Sequence, residues 1–215
     1  MRFKFRLDAR MKGKLMSIEG IDGCGKTTHV RLLAEWLRAR GYKVIVTDEP
    51  TDSVIGRVIK RALRGELKLP VAVEALLFAA DRVQHIAEVI RPALKAGKIV
   101  ITERYFYSSL AYQSARGLSM AWLDGINRAA IRPNLSILID VPAEAAFQRI
   151  RRSRRLDKFE RDLRLQRQVR VNYLRIARLR GLKVVDGARP VDEVQADIRK
   201  IVSTTLLAID RIKHV

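Results

Sequence analysis

The stretch KLMSIEGIDGCGKTTHVRLL, residues 14–33, limits most strongly what this chain can fold into. It passes from an apolar segment through a glycine-rich loop into a segment whose apolar residues recur every three or four positions. The loop fits the pattern G-x-x-x-x-G-K-[ST] at Gly20, Gly25, Lys26 and Thr27. Glycines let the backbone turn tightly and bring its N–H groups around phosphate oxygens. We therefore predict a strand, a phosphate-binding loop and a helix in succession.

The pattern also suggests roles for single residues of the loop. Lys26 would reach the β- and γ-phosphates of a bound nucleotide, and the Thr27 hydroxyl would hold Mg²⁺. The helix would direct the positive end of its dipole at the same phosphates. A glycine turn without a ligand is the alternative, which the flanking strand and helix patterns disfavour. The predicted nucleotide-binding set comprises Gly20, Ile21, Asp22, Gly23, Cys24, Gly25, Lys26, Thr27 and Thr28.

The basic residues are unevenly distributed along the chain. It has 43 lysines and arginines against 23 acidic residues, a net charge of +20. Residues 1–14 carry a net charge of +5, and residues 149–170 carry a net charge of +7. Such a surface suits nucleic acid, a membrane or small polyanions, so the position of the charge has to decide between them.

The composition argues against several classes of protein. The chain has no apolar run of the roughly 18 residues that a membrane-spanning helix needs. Residues 1–13 are basic without an apolar segment, so we predict a basic extension and no secretory signal there. The single cysteine rules out an internal disulfide framework and favours a reducing, cytoplasmic setting. Because 215 residues are few for two domains, we expect residues 14–215 to form one.

Four further short apolar segments predict strands: KVIVT (43–47), KIVIT (98–102), LSILID (135–140) and residues 183–185. Helical patterns separate them, at residues 53–63, 71–96, 106–116, 119–131, 143–152, 159–180 and 190–210. Apolar strands that alternate with helices indicate a parallel sheet covered on both faces. The predicted fold class is therefore α/β, with five parallel strands.

The helix predicted at 71–96 has two distinct faces. Its apolar residues at alternating steps of four and three predict a buried face: Leu76, Ala80, Val83, Ala87, Ile90 and Leu94. Phe78 and Arg82 are an i, i+4 pair on another face. Taken alone, that pair is better explained as a surface phenylalanine beside a solvated arginine.

Polar residues follow the strand at 98–102. Glu103 and Arg104 stand at its carboxyl end, and in a parallel sheet that end faces the same crevice as the phosphate loop. In the next predicted helix, Ser109 and Gln113 are four positions apart and share a face. Glu103 and Arg104 are therefore placed where a ligand of that crevice would lie.

The run RIRRSRRLDKFERD, residues 149–162, is the second informative stretch. So many adjacent cations repel one another unless an anion is bound. We therefore predict a mobile lid at about 149–160 that phosphates would order. A solvated basic helix face is the competing interpretation.

Together these features indicate a small kinase. Phosphoryl transfer needs in-line positioning, Mg²⁺ and cations around the transferred group. Lys26, Arg104 and the lid arginines can supply those cations. A lid that closes would also exclude water from the reaction.

Several segments, in the right order, resemble the thymidylate (dTMP) kinase family. They are EGIDGCGKTT, DEPT, LLFAADR, ERYFYSSLAYQ, RPNLSILIDVP and LDKFE, and the resemblance covers about residues 14–195. LLFAADR and RYFYSSLAYQ are the specific ones, because the phosphate loop alone fits many NTPases. The resemblance implies a P-loop nucleoside monophosphate kinase fold, ATP and dTMP as substrates, Mg²⁺ as cofactor and a homodimer.

The resemblance also implies residues that contact the base and sugar of dTMP. Phe78 resembles the ring on which thymine stacks. Arg82, Ser109 and Gln113 resemble its base-edge partners. Tyr112 resembles the ring that disfavours a ribose 2′-hydroxyl.

Other positions match the family's phosphate and nucleotide contacts. Arg104 resembles the ligand of the dTMP phosphate, and Asp22 resembles the loop carboxylate near the acceptor sugar. Glu49 belongs to the family's E-P element, which lines the acceptor site. Arg149 resembles the residue that stacks on adenine.

The chain departs from the family pattern in four places. Gly23 stands where some members carry a catalytic arginine, so the lid has to supply it from Arg151, Arg152, Arg154 or Arg155. Glu103 replaces the aspartate of D-R-Y, and with Thr27 it is the expected Mg²⁺ contact. Asp48, Thr51 and Asp52 replace the arginine and the two glycines of T-R-E-P-G-G, which affects the shape of the acceptor site. Lys60 stands where many relatives carry a phosphate-binding arginine and lacks that residue's fork.

The function that we expect is transfer of the ATP γ-phosphate to dTMP. A nucleoside or nucleoside monophosphate kinase with a broader choice of acceptor is the alternative, because E-R at a strand end also occurs in deoxynucleoside kinases. A nucleic-acid-binding P-loop protein is less favoured, because much of the clustered charge falls on the lid. We expect neither a membrane nor nucleic acid as a partner. The apolar faces of the helices at 71–96 and 105–131 could form the dimer.

Overall fold

The computed structural model describes residues 12–153 and 162–212 of the chain. Side chains are described as far as residue 151 in the first range and residue 206 in the second. Two predictions fall largely outside this description. One is the N-terminal extension, of which residues 1–11 are not described. The other is the lid, for which the side chain of Arg152 and the whole of Arg154 and Arg155 are not described.

Five parallel strands form the sheet, in the order β2-β3-β1-β4-β5. Their bounds are β1 Lys14–Glu19, β2 Val44–Asp48, β3 Ile99–Glu103, β4 Leu135–Asp140 and β5 Lys183–Asp186. The predicted α/β class is confirmed, and each predicted strand agrees with the structure to within one residue at either end.

The register of the strands places polar residues at one edge of the sheet. In β1, the residues after Lys14 are all buried, because helices cover both faces of the sheet. Ile18 of β1 lies opposite Glu103 of β3, and Asp48 of β2 lies opposite Glu103 on its other side. The carboxyl ends of the central strands therefore meet at the edge where parallel α/β folds bind ligands.

Helices connect the strands on both sides. Their bounds are α1 Lys26–Arg38, α2 Val54–Leu63, α3 Val71–His85, a π-helical turn Ile86–Ile90, α4 Arg91–Lys95, α5 Phe106–Ala115, α6 Met120–Ile126, α7 Ala143–Ser153, α8 Leu163–Arg180 and α9 Val191–Ile212. The apolar face predicted for α1 is buried: Val30, Leu33, Ala34 and Leu37. Among the described helices, none is both long and apolar enough to cross a membrane.

The buried face predicted for the helix at 71–96 is wrong over its first turns. Leu76 and Val83 are 49% and 44% exposed, and Ala80 and Ala87 are also exposed. The other two members of the predicted set, Ile90 and Leu94, are buried. The face of α3 that packs inward instead carries polar residues as well as alanines: Glu74, Ala75, Ala79, Asp81, Arg82 and His85.

The inward polar residues of α3 have partners, which explains why their burial is tolerated. Asp81, for example, accepts hydrogen bonds from the Thr51 N–H at 2.9 Å and from the Ser53 hydroxyl at 2.8 Å. A buried polar group costs little once it is hydrogen-bonded. Apolar periodicity therefore selected the wrong face of this helix.

The helix predicted at 119–131 is shorter than expected. It begins at Ser119, whose hydroxyl caps α6, and α6 ends at Ile126. The Asn127 amide donates to the carbonyl of Leu123 at 2.8 Å, and its Oδ1 accepts from Arg82. Asn127 thus caps α6 and at the same time binds Arg82, so the helix ends there.

Candidate active site

The phosphate loop joins β1 to α1 and borders a cleft of about 520 Å³. Its backbone is tight, because a Cβ atom on Gly20 would lie 2.6 Å from the carbonyl oxygen of Ile139. Lys26 Nζ donates to the carbonyl of Ile21 at 2.8 Å, which holds the ammonium group against the loop. Of the predicted nucleotide set, the cleft is lined by Asp22, Gly23, Cys24, Gly25, Lys26, Thr27, Thr28 and Arg149, while Gly20 and Ile21 are not among the lining residues.

The structure gives a physical reason for glycine at position 23. Gly23 has a φ of 77°, in the left-handed region. A Cβ atom there would lie 2.4 Å from the carbonyl oxygen of Ala146 on α7. Helix α7 therefore packs directly on the loop backbone, which leaves no space for an arginine at position 23. The assignment of a catalytic arginine to the lid stays a prediction, because Arg152, Arg154 and Arg155 lie outside the described side chains.

Arg149 forms part of the wall of the cleft opposite the loop. Its Nη2 donates to the carbonyl of Gly187 at 3.0 Å, which ties α7 to the connection between β5 and α9. Arg189 of the same connection also lines the cleft. Arg151 lies elsewhere: it is exposed, its Cζ is 5.8 Å from the ring centroid of Phe147, and it is not among the lining residues.

A second, narrower cavity of about 90 Å³ shares Asp22 with the loop cleft. Eight of the nine residues predicted for the acceptor site line it: Asp22, Glu49, Phe78, Arg82, Arg104, Ser109, Tyr112 and Gln113. The ninth, Lys60, does not; its Nζ pairs with Asp52 Oδ1 at 2.6 Å. We call this second space the acceptor cavity.

Arg82 lies in the wall of the acceptor cavity and is 2% exposed. Its Nε and Nη2 lie 2.8 and 2.7 Å from Glu49 Oε2. Its Nη1 donates to the side chain of Asn127, and its Nη2 lies 3.4 Å from Ser109 Oγ. A buried charge needs such partners, so the guanidinium is oriented before any ligand binds.

Two residues behind this pair were not predicted. His85 Nδ1 lies 3.1 Å from Glu49 Oε1, and its Nε2 lies 2.7 Å from Thr47 Oγ1. With Asn127, His85 fixes the Glu49–Arg82 pair from the far side. A histidine three positions after Arg82 on the same helix could have signalled this, but only if the inward face of α3 had been assigned correctly.

Another part of the acceptor cavity offers an aromatic ring and an amide. Phe78 is half-buried, and Gln113 is 4% exposed. Gln113 Oε1 has no hydrogen-bond partner among the residues that the structure describes. Because an unpaired buried acceptor is costly, this oxygen suits a ligand that brings an N–H donor. Arg116 lines the same wall and pairs with Glu74.

Arg104 lines the acceptor cavity in a rare backbone conformation, with a φ of 64°. For a residue with a Cβ atom this region costs about 1–2 kcal/mol. Its Nη1 donates to the carbonyl of Gly20 at 3.1 Å, and its Nη2 forms an ion pair with Asp22. The Tyr112 hydroxyl donates to Asp22 Oδ2 at 2.7 Å, and burial raises the pKa of Tyr112, so it keeps its proton.

Asp22 has a strongly shifted pKa. Burial alone would raise the pKa of Asp22, but Arg104, Lys26 and the Tyr112 hydroxyl outweigh burial and lower the pKa to about 2. Asp22 is therefore ionised at neutral pH. It places one negative charge where the two clefts meet.

The two expected Mg²⁺ contacts face a common space. Thr27 and Glu103 both line the loop cleft, and both also line a neighbouring cleft of about 610 Å³ that Asp48 borders. A hydroxyl and a carboxylate are oxygen donors of the kind that Mg²⁺ takes, so these residues fit the ion. Burial raises the pKa of Asp48, with Lys60 opposing the shift and Glu103 adding to it.

The fold and these clefts define the class of protein. A parallel sheet carries a phosphate loop at its carboxyl edge, and beside the loop a second cavity holds a cation and an aromatic ring. This is the construction of an α/β P-loop phosphotransferase that acts on a nucleotide-sized acceptor.

Comparison with known proteins identifies the family. The thymidylate kinase family model matches residues 18–198. A probable thymidylate kinase of Pyrococcus horikoshii is 45% identical over 205 residues, covering 93% of this chain and 100% of the relative. One of Thermococcus onnurineus is 46% identical over 199 residues, covering 88% and 97%. The thymidylate kinase of Symbiobacterium thermophilum is 42% identical over 200 residues, covering 89% and 93%. The chain belongs to the thymidylate kinase family.

Proposed function

We propose that this protein transfers the γ-phosphate of ATP to dTMP and gives dTDP, a step that supplies dTTP for DNA replication. The observation that carries the proposal is the meeting of the two clefts at Asp22. The loop cleft suits a polyphosphate. The acceptor cavity offers a guanidinium from Arg104 for a phosphate, and the Phe78 ring and an amide for a base.

The polar groups of the acceptor cavity favour thymine over cytosine. Arg82 can only donate a hydrogen bond, which suits the O4 carbonyl of thymine and not the amino group of cytosine. Gln113 Oε1 lacks a partner among the described residues and suits the N3–H of thymine. Stacking of the base on Phe78 adds roughly 1–3 kcal/mol.

The cations of the site serve the transferred phosphate from two sides. Lys26 binds the phosphates of ATP from the loop, together with the backbone N–H groups. Arg104 binds the phosphate of dTMP, beside Asp22. This arrangement positions the two phosphates and offsets their repulsion, which is most of what phosphoryl transfer needs from a protein.

The loop cleft also has groups for Mg²⁺ and for adenine. Thr27 and Glu103 would hold the Mg²⁺ that accompanies ATP. When bound, that ion neutralises charge on the phosphate oxygens. The planar guanidinium of Arg149, held by Gly187, offers a surface on which adenine stacks.

The test is an ADP-release assay with ATP, Mg²⁺ and a panel of acceptors: dTMP, dUMP, UMP, CMP, AMP, GMP and thymidine. We expect use of dTMP and rejection of CMP, because Arg82 and Gln113 match the O4 and N3–H groups that thymine shares with uracil and that cytosine lacks. Equal use of all monophosphates would contradict this acceptor specificity. An absence of acceptor-dependent turnover would contradict the kinase function itself.

We also propose that the protein is a cytoplasmic homodimer. The exposed face of α3 forms an apolar stripe in which Val73, Leu76 and Val83 are 39%, 49% and 44% exposed. A stripe of this kind on a helix supports burial against a second copy. Sedimentation should show a dimer, and Leu76→Glu should convert it to a monomer. A monomeric parent protein would contradict the proposal.

A further inference from the structure

A group of side chains in contact with Arg104 has no role in the proposed reaction so far. We call Glu19, Ser108 and Tyr173 the anchor cluster. Glu19 ends β1 and is fully buried, Ser108 lies on α5, and Tyr173 lies on α8 and is 1% exposed. The cluster therefore brings three elements to one point, and Ser108, which is partly exposed, also lines the acceptor cavity.

The donors of the anchor cluster are ordered by its carboxylate. Ser108 Oγ donates to Glu19 Oε2 at 2.8 Å, and the Tyr173 hydroxyl lies 2.7 Å from Ser108 Oγ and 3.4 Å from Glu19 Oε2. Burial raises the pKa of Tyr173, which keeps that hydroxyl protonated. Each hydroxyl therefore donates its proton within the cluster, and its remaining lone pairs can accept a hydrogen bond from another donor.

Those lone pairs face one end of Arg104. Its Nη1 lies 3.3 Å from Ser108 Oγ and 3.4 Å from the Tyr173 hydroxyl, in addition to its bond to Gly20. Its Nη2 makes the ion pair with Asp22 at the cavity. The guanidinium thus has an inner end fixed by neutral oxygens and an outer end that faces the ligand space.

We propose that Ser108 and Tyr173 are positioning residues for the acceptor phosphate. They hold the inner end of Arg104 so that the outer end is presented at a constant position. Arginine otherwise has about 2 kcal/mol of side-chain entropy to lose when it binds a ligand. The inference rests on the proposed role of Arg104 with dTMP, and it concerns that substrate and not ATP.

The variant that tests the inference is Tyr173→Phe, which removes one oxygen. The ring keeps its edge contact with Tyr112, whose centroid is 6.3 Å away. Because one hydrogen bond to a positioned cation is lost, we expect the KM for dTMP to rise roughly three- to tenfold. The KM for ATP should change less than twofold.

Tyr107→Phe is the matched control. Tyr107 is 6% exposed and precedes Ser108 on α5, but its hydroxyl bonds to Ser136 and not to Arg104. Tyr107→Phe should lower the unfolding free energy about as much as Tyr173→Phe does, and it should keep the parent KM for dTMP. If the two variants have the same KM for dTMP, the Tyr173 hydroxyl is only structural and the inference is wrong.

A second measurement needs no substrate. Unfolding constants of Tyr173→Phe, Ser108→Ala and the double variant form a cycle. We expect the double variant to differ by more than about threefold from the product of the single effects, because residues of one network couple. Effects that simply multiply would overturn the cluster. If the parent protein does not turn over dTMP, the proposed function itself is wrong. If the parent turns over dTMP but the variants do not behave as expected, only the inference about Ser108 and Tyr173 is wrong.

Discussion

The loop cleft and the acceptor cavity meet at Asp22 but are built differently. The loop cleft, about 520 Å³, is formed largely by backbone that turns at glycines. The acceptor cavity, about 90 Å³, is walled by side chains that are already bonded to one another, such as Arg82 with Glu49. Backbone N–H groups recognise phosphates, which all nucleotides share. Preorganised side chains can distinguish one base from another.

This difference leads to opposite sensitivities. The loop cleft should be sensitive above all to an added Cβ atom where another backbone lies close. The acceptor cavity should respond to the loss of single polar groups. Variants can test each half of this comparison.

Removal of Arg104 should have the largest effect, and the effect should fall chiefly on use of the acceptor. Arg104→Ala leaves Asp22 without its cation, and truncation of one partner of a buried charge pair costs about 2–5 kcal/mol. We expect kcat/KM for dTMP to fall on the order of 10³-fold, with a much smaller change in the KM for ATP. Steady-state kinetics measure both.

Arg167→Ala provides the control, because Arg167 is an exposed cation whose partner is Glu144. It should retain parent kinetics. If Arg104→Ala also turned over dTMP like the parent, Arg104 would not be the phosphate ligand and the acceptor cavity would need reassignment.

An added methyl group at Gly23 should have the next largest effect, and on the loop cleft. Gly23→Ala combines the left-handed backbone cost with the contact to Ala146, so we expect roughly 2–4 kcal/mol lower unfolding free energy. The KM for ATP should rise with it. Denaturant unfolding and ATP kinetics measure these effects.

Gly41→Ala isolates the backbone part of that cost. Gly41 has a φ of 83° with no heavy atom within 4 Å of the added carbon, so about 1 kcal/mol is expected. Equal costs at the two positions would mean that α7 does not press on the loop.

The smallest expected effect is the pH dependence of stability at Asp22. Its folded pKa of about 2 lies below its usual value of 3.8, so the ionised form stabilises the folded state above about pH 4. This stabilisation of the folded state is lost as the pH falls through the folded pKa of about 2. Relative to Asp22→Asn, the parent should be more stable by up to about 2 kcal/mol at pH 6, and the difference should vanish near pH 2.

Denaturant unfolding across that pH range checks the prediction. Asp52→Asn is the control, since Asp52 pairs with Lys60 but its side chain is 93% exposed. Its substitution should leave the pH profile close to that of the parent. A constant difference between the parent and Asp22→Asn at every pH would contradict the charge assigned to Asp22.

The strands and the phosphate loop were predictable because their signals are local. Apolar runs of three to six residues indicate the strand positions, and the loop pattern needs only residues near each other in sequence. The acceptor cavity is assembled from distant segments, such as Glu49, Phe78 and Gln113. Its residues were named through resemblance to the family, since spacing alone favoured a solvated Phe78–Arg82 pair.

Buried polar networks were the main source of error and omission. The face of α3 was misassigned because Asp81, Arg82 and His85 are buried with partners, and periodicity counts only apolar residues. Asn127 and Tyr173 were missed because their roles depend on contacts across the fold. Glu19, a charge at the end of a buried strand, was the one visible signal of the anchor cluster. The placements of Arg152, Arg154 and Arg155 stay predictions.

The shared position of Asp22 has a thermodynamic consequence for the two substrates. A ligand that changes the pairing of Asp22 with Arg104 in the acceptor cavity also changes the charge that Lys26 and the loop cleft experience. The two binding equilibria are therefore linked. If dTMP changes the affinity for ATP by some factor, ATP must change the affinity for dTMP by the same factor.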